Sequence, residues 1–324
     1  MSFIVEAKQL SKSFRYQKRG NSFNWFNSEY VTVDAVKQLN LAIRPGERIA
    51  FIGPNGAGKS TTIKMLSGIL TSSGGELSVC GHHPIHERSA LSYKIGCVFG
   101  QRSQLLPNLP LQDSLELFGR MYDLSNEEIA ERSAHLIKVF QLDSFIEQPV
   151  RQLSLGQRMR GEIAASLMHK PQIIFLDEPT IGLDVIAKRE LRKTLLELNE
   201  QENTTIFLTS HDTGDIESLC ERIIVIDHGQ IVIDAPTREL QKTYFNKKYF
   251  KIDYAGTIDA ATITAMGFTV QQNTVSGFID TSQQDLNTAL KQLLDIAPVE
   301  DIHLFDEELE DIIIDIYNNG KRPA

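Results

Sequence analysis

The stretch at residues 47–63 constrains the fold of this chain more than any other. It reads ERIAFIGPNGAGKSTTI, which is a short apolar strand, a glycine-rich turn and the start of a helix. Gly53, Gly58, Lys59 and Ser60 stand at the spacing G-x-x-x-x-G-K-[ST], in the strand-then-helix context that this motif requires. With ordinary glycine usage, chance gives such a match in roughly one chain in a hundred of this length. The stretch therefore predicts a nucleoside triphosphate site.

The residue types of this loop suit a polyphosphate. Gly53, Gly56 and Gly58 allow backbone conformations in which successive N–H groups point at phosphate oxygens, and the following helix adds its positive end. We expect Lys59 to reach the β- and γ-phosphates and the Ser60 hydroxyl to ligate Mg²⁺. The predicted nucleotide contacts are Gly53, Pro54, Asn55, Gly56, Ala57, Gly58, Lys59, Ser60 and Thr61.

Composition excludes several classes of protein. The chain has 324 residues, enough for more than one domain, and a formal net charge of −9, which argues against a nucleic-acid-binding surface. Its three cysteines are too few for a disulfide framework, so a reducing cytoplasm is the expected compartment. No segment approaches the ~20 apolar residues that span a bilayer, and any membrane role is therefore expected to depend on a partner.

The segments before and after the glycine-rich loop indicate antiparallel strands. Alternating patterns at 4–14 and 35–43 predict two of them, separated by a polar and aromatic loop at 15–30. A hairpin turn is predicted at Gly74-Gly75.

Continuous apolar runs predict a parallel core sheet, because strands buried on both faces lack polar alternation. These runs are 94–100, 172–176 and 205–209, and a final hairpin turns at His228-Gly229. Between the first two runs, residues 111–170 have helical signals. Ser125 and Glu128 form a capping-box pattern, and a helix over 155–169 is expected to end before a proline.

The chain changes character near residue 241. A strand at 249–253, a pair of strands within 268–279, a helix at 282–294 and a strand at 299–304 indicate a small α+β unit. A terminal helix is expected to place Phe305, Leu309, Ile312 and Ile316 on one face. That face either covers the small sheet of its own unit or contacts a second copy of the chain.

Two adjacent acids follow one of the buried strands. Asp177 ends the run at 172–176, and Glu178 comes next. The carboxyl ends of parallel strands are where such sheets bind ligands, so Asp177 is expected to hold Mg²⁺. Glu178 is expected to act on the attacking water.

Further segments then resemble those of the ATP-binding subunits of ABC transporters, in the order found in that family. QLSLGQRMR resembles the signature segment, Gly182-Leu183-Asp184 the D-loop, and Thr209-Ser210-His211 the switch-histidine segment, while Gln101 stands at the place of the Q-loop glutamine. The resemblance covers about the first three quarters of the chain. It implies an α/β fold with a P-loop NTPase parallel-sheet core, an antiparallel β subdomain and a helical insertion at about 102–170. The ATP-binding domain is predicted at 1–240 and a small α+β accessory domain at 241–324.

The resemblance also implies a head-to-tail dimer that closes on two ATP molecules. Glu178 and His211 would be catalytic, and Gln101 would be both catalytic and a Mg²⁺ ligand beside Ser60 and Asp177. Ser154, Gly156 and Gln157 would contact the nucleotide of the opposite subunit, and Asp184 would organise contacts across the dimer. Leu155 departs from the common signature, which has glycine there, and is expected to point away from the nucleotide.

An aromatic ring is expected to stack on the adenine, as in the family. Phe14, Tyr16 and Tyr30 are the candidates, and Tyr30 has the expected spacing from Gly53. All three could instead pack in the core.

The resulting functional hypothesis is an ATPase subunit that drives a separate integral-membrane permease, for export. Its partners would be that permease and a second ATP-binding subunit, identical or different, and it would lie on the cytoplasmic face of the plasma membrane. The alternatives are a soluble ABC-type ATPase of translation or DNA repair, which would usually show tandem cassettes or a long coiled-coil insertion, and a non-catalytic nucleotide-binding module. The presence of Lys59, Asp177, Glu178 and His211 argues against the last.

Overall fold

The computed structural model describes residues 2–17, 30–100, 103–244, 247–281, 283, 285–295 and 298–306. The chain forms two compact units, Met1–Ala235 and Pro236–Ala324, each with its own hydrophobic core. Across the described residues, no helix has both the length and the apolar character needed to cross a membrane.

The first unit contains nine strands and seven α-helices among its described residues. In chain order they are β1 (Val5–Gln17), β2 (Tyr30–Ile43), β3 (Arg48–Ile52), α1 (Lys59–Leu66), β4 (Gly74–Val79), α2 (Arg88–Ser92), β5 (Ile95–Phe99), α3 (Leu111–Met121), α4 (Asn126–Val139), α5 (Leu155–Ser166), β6 (Ile173–Asp177), α6 (Val185–Glu202), β7 (Thr205–Thr209), α7 (Thr213–Leu219), β8 (Arg222–Asp227) and β9 (Gln230–Pro236).

A six-stranded sheet in the order β5-β6-β7-β3-β8-β9 forms the centre of this unit. The pairs β5–β6, β6–β7, β7–β3 and β3–β8 are all parallel. Apart from their ends, these strands are buried on both faces, as their continuous apolar runs predict. The predicted parallel core is confirmed, and the carboxyl ends of β3, β6 and β7 lie along one edge.

The antiparallel sheet has the order β2-β1-β4, and its central hairpin is longer than the sequence predicts. β1 and β2 pair as far as Gln17↔Tyr30, with register shifts between Ala7 and Ser13 and none beyond Ser13↔Asp34. Residues 15–17 and Tyr30 therefore belong to strands and not to the predicted loop, while 18–29 lie outside the described residues. The extension is largely exposed on both faces, so no apolar alternation marks it.

The predicted hairpin turn at Gly74-Gly75 is wrong. Both glycines belong to β4, which pairs with β1. Gly75 has φ +87°, and a Cβ atom there would lie 2.4 Å from the carbonyl oxygen of Gln9. The glycine pair therefore permits a close approach of two backbones at an irregularity of the sheet.

The helices α3, α4 and α5 form the predicted insertion between β5 and β6. The Ser125 hydroxyl accepts a hydrogen bond from Glu128 N, and Glu128 Oε2 accepts one from Ser125 N, which confirms the capping box. α5 ends at Ser166, before the predicted end at His169.

The elements of the second unit are α8 (Thr237–Tyr244), β10 (Lys247–Tyr254), α9 (Ala260–Ala265), β11 (Thr269–Gln271), β12 (Thr274–Asp280), α10 (Leu286–Leu294) and β13 (Val299–Asp306). Its four strands form an antiparallel sheet in the order β11-β12-β10-β13, and α9 and α10 share a hydrophobic core with it. The core elements follow the order β-α-β-β-α-β of the split βαβ arrangement. The sequence patterns did not indicate α9, and the predicted terminal helix beyond residue 306 lies outside the described residues.

Candidate functional site

The predicted catalytic groups meet at the carboxyl edge of the parallel sheet. The glycine-rich loop follows β3, Asp177 ends β6, and His211 follows β7. Gln101 lies outside the described residues, and its role stays a prediction.

The backbone of the glycine-rich loop fits tightly against its surroundings on one side and is open on the other. A Cβ atom on Gly53 would lie 2.2 Å from the carbonyl oxygen of Ile226, and one on Gly58 would lie 2.5 Å from that of Ala35. Gly56 has φ +84° and would meet nothing within 4 Å. The loop therefore packs against neighbouring backbone at Gly53 and Gly58, where a larger residue would clash. Its middle, at Gly56, has no neighbouring atoms on the side that a Cβ would occupy.

Lys59 folds back over this loop. Its Nζ donates hydrogen bonds to the carbonyl oxygens of Gly53, at 2.5 Å, and Pro54, at 3.3 Å, and lies 3.4 Å from Nε2 of His211. Burial lowers the pKa of Lys59, and the charge of Glu178 opposes that change. The ammonium group is therefore partly desolvated and is held by neutral carbonyl groups, which favours its transfer to an incoming phosphate oxygen.

Oxygen atoms converge around Asp177. The Ser60 hydroxyl donates to Asp177 Oδ2 at 3.3 Å, and the Thr209 hydroxyl donates to Asp177 Oδ1 at 2.6 Å. Carboxylate and hydroxyl oxygens are the ligands that Mg²⁺ prefers, usually together with substrate phosphates. Ser60 and Asp177 therefore fit a magnesium site beside the glycine-rich loop.

Glu178 and His211 form a pair at the carboxyl edge of the sheet, next to Asp177 and Lys59. Glu178 Oε1 lies 3.3 Å from His211 Nε2, and this buried carboxylate oxygen has no hydrogen-bond partner among the residues that the structure describes. Burial raises the pKa of Glu178 against the lowering effects of His211 and Lys59. A desolvated carboxylate with a raised pKa is a better proton acceptor near neutral pH than an exposed one.

The signature segment begins a helix in the predicted way. Ser154 is the N-cap of α5, where its hydroxyl accepts from Gln157 N at 3.2 Å and Gln157 Oε1 accepts from Ser154 N at 2.9 Å. A Cβ atom on Gly156 would lie 3.2 Å from the Cβ of Ala187 on α6, so this glycine lets the two helices approach. The side chains of Ser154 and Gln157 thus form a capping box at the start of α5.

The Leu155 side chain lies close to the D-loop. A Cβ atom on Gly182 would lie 2.8 Å from the Leu155 side chain. Asp184 caps α6, because its Oδ1 accepts a hydrogen bond from Ala187 N at 2.8 Å. The next two side chains, Val185 and Ile186, are 82% and 72% exposed. These two neighbours therefore leave apolar surface in contact with water next to Asp184.

The β1–β2 hairpin separates the three aromatic candidates. Directly paired residues share a face, and alternate residues of one strand do too. The register Phe14↔Val33 and Gln17↔Tyr30 therefore places Phe14 and Tyr16 on one face and Tyr30 on the other, where the guanidinium of Arg15 lies 4.1 Å from its ring centroid. The face of Phe14 continues to the partner of Lys12, Val36, whose methyl group approaches Gly58.

The sequence patterns missed a partly buried network behind Glu178 and His211. It links two acidic residues at the start of α7, two basic residues of α6 and two hydroxyl groups near Glu178 and His211, namely Asp212, Asp215, Lys188, Arg192, Thr180 and Ser210. Its signal is the spacing of charges, with bases four residues apart on one helix and acids three apart on the next. That signal is common on exposed helices and is uninformative without the packing.

Comparisons with known proteins agree with this geometry. The family model described as ABC transporter matches residues 36–181. The linearmycin resistance ATP-binding protein of Bacillus subtilis is 36% identical over 61% of this chain, a match that spans 63% of that protein's length. A daunorubicin resistance ATP-binding protein of Streptomyces coeruleorubidus is 30% identical over 89% of this chain and 92% of its own length.

One solved structure shows the same fold in a nucleotide-bound state. It is the dimeric post-hydrolysis state of the ATP-binding cassette MJ0796 bound to ADP and Pi, which is 29% identical to this chain. The two superpose with a TM-score of 0.61 over 72% of this chain and 98% of that one.

Proposed function

Because the chain belongs to the ABC transporter family, we propose that it is the ATP-hydrolysing subunit of an exporter. ATP binding closes a head-to-tail dimer, and hydrolysis reopens it and drives a separate integral-membrane permease. The observation that carries this proposal is the Glu178–His211 pair, 3.3 Å apart beside the Lys59 loop at the carboxyl edge of the sheet.

The residues at this edge divide the reaction between them. Lys59 exchanges its carbonyl partners for β- and γ-phosphate oxygens, since a charged acceptor binds an ammonium group more strongly than a neutral one. Glu178 orients the attacking water and accepts its proton, and His211 hydrogen-bonds to the γ-phosphate. Ser60 and Asp177, with Gln101, would hold Mg²⁺, which would neutralise phosphate charge when bound.

A second subunit completes each site. The start of α5, with Ser154, Gly156 and Gln157, offers backbone donors and a helix N-terminus to the γ-phosphate bound by the other subunit. The exposed Val185 and Ile186 next to Asp184 support a contact there, because a closing partner would remove them from water. The partner subunit is a second copy of this chain or a homologous one.

Export and localisation rest on the relatives. Two of the proteins that this chain resembles are named for resistance to antibiotics, and this supports movement of a compound out of the cell. The chain is then cytoplasmic and peripheral on the inner face of the plasma membrane, held there by its permease.

Affinity purification tests the partner. The full chain with Glu178→Gln, which we expect to bind ATP without hydrolysing it, is captured with Mg²⁺-ATP from detergent-solubilised membranes of the native cell. The matched control is Lys59→Ala, which removes the phosphate contact. Recovery of a polytopic membrane protein with the first variant supports the transporter. Recovery of ribosomes or DNA-repair proteins from the soluble fraction would instead favour a soluble ABC-type ATPase.

A further inference from the structure

The carboxylate of Asp215 is the centre of the network behind the catalytic pair. Its side chain is only 1% exposed. Arg192 Nε donates to Oδ1 at 2.5 Å, while the hydroxyl groups of Ser210, at 2.9 Å, and Thr180 both donate to Oδ2. A buried carboxylate is stable only when paired and hydrogen-bonded in this way, so its position is tightly determined.

One hydroxyl partner controls the backbone around His211. Ser210 precedes this histidine, and its Oγ also accepts a hydrogen bond from Asp212 N at 3.0 Å. The same hydroxyl therefore spans His211 on both sides and connects the loop to Asp215. Asp212 is itself held by Lys188 and Arg192 of α6.

The other hydroxyl partner fixes the segment that follows Glu178. Thr180 lies two residues beyond Glu178, and on the near side Glu178 N donates to the carbonyl oxygen of Thr209 at 3.1 Å. Glu178 has φ +55°, a left-handed conformation that is strained for a non-glycine residue and persists only when the surroundings hold it. The bond from Thr180 to Asp215 provides one of those restraints.

We propose that Asp215, acting through Thr180 and Ser210, is a positioning group that sets the separation of Glu178 and His211 for ATP hydrolysis. None of the three touches the catalytic carboxylate or imidazole in the hydrogen bonds described. Their effect is geometric, because the loops that carry Glu178 and His211 both bind Oδ2 of one carboxylate, through Thr180 and Ser210. The inference rests on the proposed ATPase function.

Isosteric substitutions of Thr180 test the proposal in the full chain. Thr180→Val removes the hydroxyl and keeps the shape, and we expect kcat for ATP to fall about 10-fold or more, since displacements near 1 Å can cost 10²-fold. KM for ATP is expected to change less than about twofold. Thr180→Ser keeps the hydroxyl and is expected to retain at least half of kcat. An unchanged kcat in Thr180→Val would overturn the proposal.

Thr205→Val is the matched control. Thr205 is buried at the amino end of β7, where its hydroxyl accepts from Gly46 N at 2.8 Å. The substitution removes a buried hydrogen bond of similar kind from the far end of the strand that carries Thr209. A loss of kcat equal to that in Thr180→Val would mean that any destabilised core lowers turnover, and would overturn the proposal.

A double substitution distinguishes positioning from general damage. If Thr180 acts through Glu178, adding Thr180→Val to Glu178→Gln lowers the residual turnover less than twofold. A further drop of 10-fold would mean an independent effect and would contradict the mechanism.

Amide hydrogen exchange gives a readout that does not depend on ATPase activity. Thr180→Val is expected to raise exchange at 209–213 as well as at 178–181, and Thr180→Ser is not. Coupled exchange in a chain that failed to hydrolyse ATP would refute the proposed function and leave the coupling standing. Normal hydrolysis with no change at 209–213 would refute the coupling alone.

Discussion

The two edges of the parallel sheet both bury charged side chains, but they treat them differently. At the amino edge, Arg132 of α4 is 4% exposed and donates to the carbonyl oxygen of Leu167 at 3.0 Å and to both carboxylate oxygens of Glu202. His135 lies 3.2 Å from the same carboxylate. The charges here are paired, and they tie the helical insertion to the end of α6.

At the carboxyl edge the partners are incomplete. Burial lowers the pKa of Lys59 and raises that of Glu178, and Glu178 Oε1 has no hydrogen bond from any described residue. A polyphosphate would offer Lys59 a charged partner, and a water molecule could donate a hydrogen bond to Glu178. We therefore propose that buried charges hold the fold together at the amino edge and serve hydrolysis at the carboxyl edge, and substitutions can separate the two roles.

The largest expected effect on turnover comes from Lys59→Met. We expect ATP hydrolysis to fall by about 10² to 10³, as when a charge-stabilising donor is removed. The thermal midpoint should not fall, because burial disfavours the charged ammonium in the folded state. Steady-state hydrolysis and thermal unfolding are measured together, with the exposed Lys193→Met as control. A large loss of stability would mean that Lys59, like Arg132, serves to stabilise the fold.

Arg132→Met should show the reverse behaviour. Breaking one side of a buried ion pair costs about 3 to 5 kcal/mol of unfolding free energy. Glu202 loses its guanidinium partner and keeps its charge beside the His135 imidazole. Turnover per folded molecule should stay within about twofold. Arg120→Met breaks an exposed pair with Glu116 and should cost at most ~0.5 kcal/mol. Denaturant unfolding at one pH compares the two. Equal costs would remove the distinction between buried and exposed pairs.

The aromatic candidates extend the comparison to the β1–β2 hairpin. The register favours Phe14 and Tyr16, on the face that leads to Gly58, over Tyr30 on the opposite face. Loss of a stacked ring costs about 1 to 3 kcal/mol of binding. The substitution Phe14→Ala or Tyr16→Ala should therefore weaken ATP binding about 5- to 150-fold by equilibrium titration, and Tyr30→Ala less than twofold. A stronger effect of Tyr30→Ala would restore the assignment made from spacing alone.

The smallest expected effect concerns the pH dependence of stability and comes from His169, at the amino edge of the sheet. Burial lowers its pKa to about 4 from the ordinary 6.5, so between these pH values the unfolded chain binds a proton that the folded chain does not. Stability therefore falls as the pH falls from 6.5 to 4, and His169→Gln should reduce that slope in thermal unfolding. An unchanged slope in His169→Gln would exclude this residue as a source of the acid sensitivity.

Much of this arrangement could be predicted from the sequence, because local rules decided it. Continuous apolar runs identified the strands β5, β6 and β7, and their carboxyl ends placed Asp177 and His211 at one edge. The spacing of the glycines between a strand and a helix predicted the conformation of the glycine-rich loop. These features depend on a few neighbouring residues, which a pattern records.

The features that the sequence did not predict depend on tertiary packing. Gly75 looked like part of a turn because its close approach to Gln9 is invisible in either segment alone. The spacing of Tyr30 said nothing of the face on which it lies, which only the strand register decides. The sequence does not distinguish Asp215 from an exposed acidic residue, because its partner Arg192 belongs to a separate helix.

Comparison of Glu178→Gln with the unmodified chain is the most direct test of the difference between the edges. ATP turnover, ATP affinity and the thermal midpoint are measured on the same preparations. We expect turnover to fall at least ~10²-fold, ATP binding to stay nearly intact, and the midpoint to stay equal or rise, because the substitution removes a buried charge that burial disfavours. Turnover close to the unmodified rate, or a sharp loss of stability with it, would contradict the assignment of this edge to catalysis.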